Sequence, residues 1–165
     1  MYDLCAAVVK QLGSPHNGQW NICFVLTTEM CTLPWEDTLQ QSLEAGCDCI
    51  QVREKQMATI DFVEHTKQVL NIVAPYQVPV IVNDRVDVML ATGADGVHLG
   101  KFDMSIEDAR PLCQSHHVIG VTVGSTGEAV EAMSRGADYV GIGAMFASVT
   151  KPTVSVGGVE LLQRV

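Results

Sequence analysis

Residues 78–103 read VPVIVNDRVDVMLATGADGVHLGKFD, and the fold of the whole chain turns on them. Two apolar runs, 78–82 and 97–99, flank a helical pattern over Val86–Thr92 that stops at Gly93. A strand–helix–strand unit this short makes its two strands parallel neighbours. Their carboxyl ends then face the same way, so polar groups that follow each strand meet on one rim. Those groups are Asn83 and Asp84 after the first run, and Lys101 and Asp103 after the second. Two carboxylates on one rim can hold a hard cation that keeps some water and takes further ligands from a phosphate, as Mg²⁺ usually does. The alternative is that Asp84 and Asp103 merely cap the helices that follow, a position that favours Asp.

The same unit recurs outward from this stretch. Residues 22–26 form an apolar run expected to be a strand. The segment 35–45 carries Leu39 and Leu43 at helical spacing, and Gly46 ends it. Over 49–55, Ile50 and Val52 alternate with Gln51, Arg53 and Lys55. In a closed barrel that polar row points inward and Lys55 reaches the rim. Thr59 is an expected helix cap for residues up to 74. Ser105-x-x-Asp108 and Ser125-x-x-Glu128 mark two more helix starts. Val118–Val123 and 139–146 are the fifth and sixth expected strands. A loop over 147–156 with Ser148, Thr150 and Lys151 precedes a last helical start at 159–165.

Three segments share one layout: Gly46-Cys-Asp48-Cys-Ile50, Gly93-Ala-Asp95-Gly-Val97 and Gly136-Ala-Asp138-Tyr-Val140. Each is a glycine helix stop, a small residue, an aspartate and a strand start. Repeated strand–helix units with continuous apolar strands imply a parallel sheet covered by helices. Pattern alone leaves a barrel and an open doubly wound sheet both available. No Gly-x-Gly-x-x-Gly follows the first strand, which disfavours dinucleotide binding. The organisation expected is an N-terminal helix and linker over 1–20, from the spacing of Leu4, Val8, Val9 and Leu12, and a single barrel domain over 21–165.

Composition narrows the function. With 10 basic against 19 acidic residues the net charge is −9, which speaks against nucleic-acid or anionic-membrane binding. No apolar run is long enough to span a bilayer and no secretion signal is read at the start. The six cysteines lack Cys-x-x-Cys spacing and read as buried thiols of a reducing, cytoplasmic setting.

Gln51-Val-Arg53-Glu54-Lys55, Val82-Asn83-Asp84-Arg85-Val86-Asp87, Gly93-Ala-Asp95-Gly96-Val97-His98-Leu99-Gly100, Gly136-Ala-Asp138-Tyr-Val-Gly141 and Thr150-Lys151 together resemble the thiamine phosphate synthase family. The resemblance runs from about residue 22 to the end. It implies a (β/α)8 TIM-barrel fold, of which about six βα units are present, with the site at the carboxyl ends of the strands. It implies a transferase that joins hydroxymethylpyrimidine diphosphate to a thiazole phosphate and releases pyrophosphate. Small molecules are then the partners, and Mg²⁺ the cofactor.

By the same resemblance Arg53, Lys55 and Lys151 bind the diphosphate, and Asp84 and Asp103 ligate Mg²⁺. Gln51 and Asn83 lie near the pyrimidine. Ser148 and Thr150 belong to the thiazole phosphate loop. Thr122 stands where the family usually has Ser. Lys55, Lys151 and Thr122 are the expected catalytic groups. His98 is read as a paired interior histidine, not a base or ligand, and His116 and His117 as lying on the far rim. A non-catalytic diphosphate-binding or regulatory paralogue is one alternative. A thiazole tautomerase is another, opposed by Gly124 where that group carries a histidine. With two strands of the family missing, the expectation is an open barrel that self-associates into a homo-oligomer, with Ile22, Phe24, Leu26, Val140 and Ile142 the most exposed.

Overall fold

The structure, a computed structural model, describes residues 8–11, 20–143 and 158–165. Its elements follow in chain order: β1 Val8–Gln11, β2 Cys23–Leu26, α1 Trp35–Glu44, β3 Cys49–Val52, α2 Thr59–Val73, β4 Val80–Asn83, α3 Val86–Thr92, β5 Gly96–Leu99, α4 Ile106–Ala109, β6 Val118–Val123, α5 Thr126–Ser134, β7 Tyr139–Ile142 and α6 Gly158–Arg164. One sheet has the order β1-β7-β6-β5-β4-β3-β2. The six strands from β2 to β7 are all parallel and stand in sequence order. That is the arrangement of successive βα units in a TIM-type barrel, carried through six strands.

The repeated glycine and aspartate set the register. Gly46, Gly93 and Gly136 sit at φ 88°, 73° and 98°, a left-handed stop that a side chain disfavours. Two residues later each aspartate grips the start of the preceding strand with two hydrogen bonds. The amides of Asp48, Asp95 and Asp138 donate to the carbonyls of Ile22, Val80 and Ile119 at 2.8–2.9 Å. Their Oδ2 atoms accept from the amides of the same three residues at 2.8–2.9 Å. A side chain thus extends the ladder by one bond where the backbone runs out, and every second strand pair is locked against slipping.

Alternation then sorts the side chains. Leu26, Ile50, Val52, Val80, Val82, Val97, Leu99 and Ile119 face the helices and pack with Leu39, Leu43, Phe62, Val69 and Met89. Burying each large side chain stabilises the fold by about 1.5–3 kcal/mol. The opposite face is the barrel interior. Its lower layer is Cys49, Ile81, Val118 and Tyr139, with Trp20 and Cys23 against them. Cys49 is a free thiol; its hydrogen bond with Cys23, and then burial, push it well above the ordinary range, which keeps it protonated and inert.

Several expectations are corrected. Residues 8–11 are a strand and not part of a helix. They pair antiparallel with β7, Val8 opposite Ile142 and Gln11 opposite Tyr139. Among the described residues no parallel strand flanks the outer edge of β7, and pairing its peptide groups outweighs a helical spacing that is only a local preference. Leu26, Val140 and Ile142 are buried, not exposed, because they lie on the helix-facing side. On β2 the interior-facing residues are Cys23, half-buried, and Val25, 40 % exposed; Phe24 is half-buried against the helix-side core, and Ile22 at the strand's foot is 57 % exposed. Thr59 does not cap α2, whose N-cap is Ala58; its hydroxyl accepts from Arg85 Nη2 at 2.9 Å. No helix among the described residues is long and apolar enough to cross a membrane.

Candidate functional site

The polar residues that follow β3, β4 and β5 converge at the carboxyl ends of the strands around a pocket of about 230 Å³. Arg53, Lys55, Asn83, Asp84, Asp103 and Thr122 all line it. Arg53 and Lys55 lie just past the end of β3, which is shorter than the alternation suggested. The Arg53 amide donates to Leu26 O at 2.8 Å, which anchors the start of this rim segment to β2. Glu54 between them turns the other way. Its carboxylate accepts from the Thr28 amide and hydroxyl at 2.7 and 2.6 Å and lies 3.6 Å from His65 Nε2 on α2. That buried anchor leaves Arg53 and Lys55 facing the pocket.

The N-cap of α3 is Arg85, and α4 is capped by Ser105, whose hydroxyl accepts from the Asp108 amide. Neither Asp84 nor Asp103 caps its helix. Asp84 sits instead at φ 66°, a region few residues other than glycine adopt and one that clusters at functional sites. Its amide donates to His98 O at 2.8 Å, and its Oδ2 lies 3.0 Å from Lys55 Nζ. Asp103 Oδ2 accepts from the Gly100 amide at 2.7 Å. A Cβ at Gly100 would stand 2.8 Å from that oxygen, so a larger residue there would displace the Asp103 carboxylate. Burial, and then a hydrogen bond to the Asp84 carboxyl, raise Asp103 above the usual carboxylate range. Two carboxylates on one rim repel each other unless a proton or a cation comes between them. Together they fit a hard divalent ion completed by phosphate oxygens and water. No cluster of three or more His, Cys, Asp or Glu suited to a metal exists among the described residues, so such an ion would need those outside ligands.

Arg53 is half-buried and its guanidinium has no ion pair or side-chain hydrogen bond among the described residues. A cation so placed calls for an anionic ligand. Gln51 lies one layer below, 9 % exposed, against the hydroxyl of Tyr139. His98 forms the pocket floor with both ring nitrogens occupied: Nδ1 is 3.0 Å from Tyr139 Oη and Nε2 is 2.8 Å from Thr122 Oγ1. The paired interior histidine is therefore present, but it also touches the site. Burial pushes its pKa down to about 4, against the opposing pull of Asp84. His116 and His117 precede β6, at the opposite end of the strands. Ser148, Thr150 and Lys151 lie outside the described residues. Lys101 and Phe102 also line the pocket, and Phe102 is 95 % exposed. Their place directly after a barrel strand was the signal available for them.

A family model described as thiamine monophosphate synthase matches residues 22–165. The thiamine-phosphate synthase of Ruminiclostridium cellulolyticum is 38 % identical over 136 residues, 82 % of this chain and 65 % of that protein. The thiamine-phosphate synthase of Clostridium novyi is 42 % identical over 118 residues, 72 % of this chain and 58 % of that one. Among solved structures, the thiamine phosphate pyrophosphorylase from Pyrococcus furiosus superposes with a TM-score of 0.76 at 36 % identity. The match covers 87 % of this chain and 68 % of that chain. The chain thus spans less than two thirds of the length of these two curated relatives.

Proposed function

The chain belongs to the thiamine monophosphate synthase family, and on that premise we propose that it joins hydroxymethylpyrimidine diphosphate to a thiazole phosphate. The bond between the pyrimidine methylene carbon and the diphosphate oxygen breaks, and its electron pair leaves with pyrophosphate. The lone pair of the thiazole ring nitrogen then closes the new carbon–nitrogen bond. The difficulty lies in the charge that builds on the leaving group, so the residues that matter are those that hold it.

Arg53 offers a planar fork to two diphosphate oxygens, and Lys55 a compact charge beside it. Thr122 donates from its hydroxyl at the end of β6. Asn83 and Gln51, on the inner face, orient the pyrimidine. Asp84 and Asp103 would hold Mg²⁺, which when bound neutralises negative charge on the diphosphate. Ser148 and Thr150 are assigned to the thiazole phosphate and Lys151 to the diphosphate. The substrates are small cytoplasmic molecules, a setting in which thiols such as Cys49 persist. Self-association through the edge of β2, the last strand of the sheet among the described residues, is part of the same reading.

The observation that carries it is the half-buried Arg53, without an ion pair among the described residues, lining one pocket with the carboxylates of Asp84 and Asp103. The test is to supply both substrates with Mg²⁺ and follow thiamine phosphate by chromatography. Formation that depends on Arg53 and Asp84 supports the reading. Tight binding of the pyrimidine diphosphate with no product, in this chain and in one extended to its relatives' length, would replace it with a binding role.

A further inference from the structure

From the pocket downward a polar chain crosses three strands, exposed at Thr122 and buried at Tyr139. Tyr139 stands on β7, His98 on β5 and Thr122 at the top of β6. The Tyr139 hydroxyl is 3.0 Å from His98 Nδ1, and His98 Nε2 is 2.8 Å from Thr122 Oγ1. Glycines on the same interior face make room for both rings. A Cβ on Gly120 would collide with the Tyr139 ring, and one on Gly141 would stand 2.9 Å from His98 Cε1. Trp20 packs edge-on against Tyr139 from below, at 5.5 Å between ring centroids. The two rings are therefore held in one place, and their hydrogen bonds have a defined direction to choose.

A neutral imidazole has one N–H and one bare nitrogen. Both of its partners here are hydroxyls, so either direction is open at first sight. Two features break the tie. The Gln51 side chain lies against the Tyr139 hydroxyl, and an amide N–H turned to that oxygen leaves the hydroxyl's own hydrogen to be placed on an acceptor inside the barrel. His98 Nδ1 is the acceptor within reach. A phenol is also the more acidic type of hydroxyl and so the better donor, and burial, which holds Tyr139 well above its ordinary range, keeps its hydrogen in place. Thr122, by contrast, sits at the exposed end of the chain, where its hydrogen has the pocket to turn to.

We infer that Gln51, Tyr139 and His98 form a one-way relay of hydrogen bonds that holds the Thr122 hydroxyl as a donor aimed into the pocket. His98 carries its proton on Nε2 and spends it on the Thr122 oxygen. The ligand met there is an acceptor with no hydrogen to return, a phosphate-type oxygen. Run in reverse, the relay would present lone pairs of Thr122 to an anion and repel it. Tyr139 and His98 are thus positioning residues for the leaving diphosphate, an assignment that rests on the diphosphate reading of this pocket.

The experiment uses the whole chain and inorganic pyrophosphate with Mg²⁺. Nitrogen NMR on histidine-labelled, ligand-free protein at neutral pH should show His98 protonated on Nε2 and bare on Nδ1. Tyr139→Phe keeps the ring and removes the donor. It should weaken pyrophosphate binding roughly tenfold, while Thr122→Val alone does the same. The double variant should bind no more weakly than Thr122→Val. Additive losses, or a His98 protonated on Nδ1 in the unaltered protein, overturn the relay; the second outcome needs no variant to fold. Absence of thiamine phosphate formation alongside the Nε2 tautomer and a non-additive cycle would sink the synthase reading and leave the relay standing.

Discussion

Lys55 Nζ lies 3.0 Å from Asp84 Oδ2, an ion pair between the rims of β3 and β4. Both groups are partly solvated, so the pair itself adds little stability. Its consequence is positional: one end is the cation proposed for the diphosphate, and the other a carboxylate held at φ 66°. A residue kept in that conformation points to selection for function over stability.

Asp84→Gly separates the two. Glycine adopts the left-handed conformation without strain, so the unfolding midpoint should hold or rise, by up to about 1 kcal/mol in stability. Mg²⁺-dependent pyrophosphate binding should weaken at least tenfold, about 1.4 kcal/mol. Asp103→Ala should lose binding to a similar degree. Calorimetry paired with thermal melts checks both; unchanged affinity in the two variants would remove the cation site.

Arg53→Lys preserves charge and loses the fork. A guanidinium binds two oxygens of one phosphate side by side, whereas an ammonium acts as a point charge. The variant should bind pyrophosphate roughly tenfold more weakly and turn over more slowly, with an unaltered melting curve. Wild-type affinity and turnover in Arg53→Lys would show that a single charge is enough.

The buried His98 makes a prediction about pH. Its ordinary pKa of 6.5 falls to about 4 in the folded protein because burial opposes charging. Above 6.5 it is neutral in both states and costs nothing. As pH falls from about 6.5 towards 4, the unfolded chain takes a proton that the folded one refuses. Stability therefore drops through that window, by about 3 kcal/mol in all, and no further below it. His98→Gln should flatten this part of the profile, compared by urea unfolding at pH 7 and pH 4.5. Parallel profiles for the two proteins would mean His98 is not held neutral.

The N-terminal strand covers an edge, so its removal should be visible in solution. Without residues 1–11 the outer peptide groups of β7 lose the partners shown for Tyr139 to Ile142, and exposed edges invite pairing between chains. The shortened protein should elute larger and more concentration-dependent on size exclusion. An unchanged elution volume at equal concentration would mean that another segment shields β7.

Sequence by itself determined the repeating unit and its polarity. Alternation and helical spacing are local properties, and short crossovers permit only parallel, right-handed units, so Asp84 and Asp103 had to reach one rim. Arg53 and Lys55 could be placed inside for the same reason. Tertiary structure alone decided what meets across strands. His98 and Tyr139 stand 41 positions apart and His98 and Thr122 stand 24 apart, and no local period links them. Nor could spacing show that the repeated aspartates grip the preceding strand, or that Asp84 leaves the cap position for a left-handed turn. Residues 8–11 make the same point from the other side. Their helical spacing is a weak local preference, and it yields to the unpaired backbone of β7, which exists only once the six parallel strands have assembled.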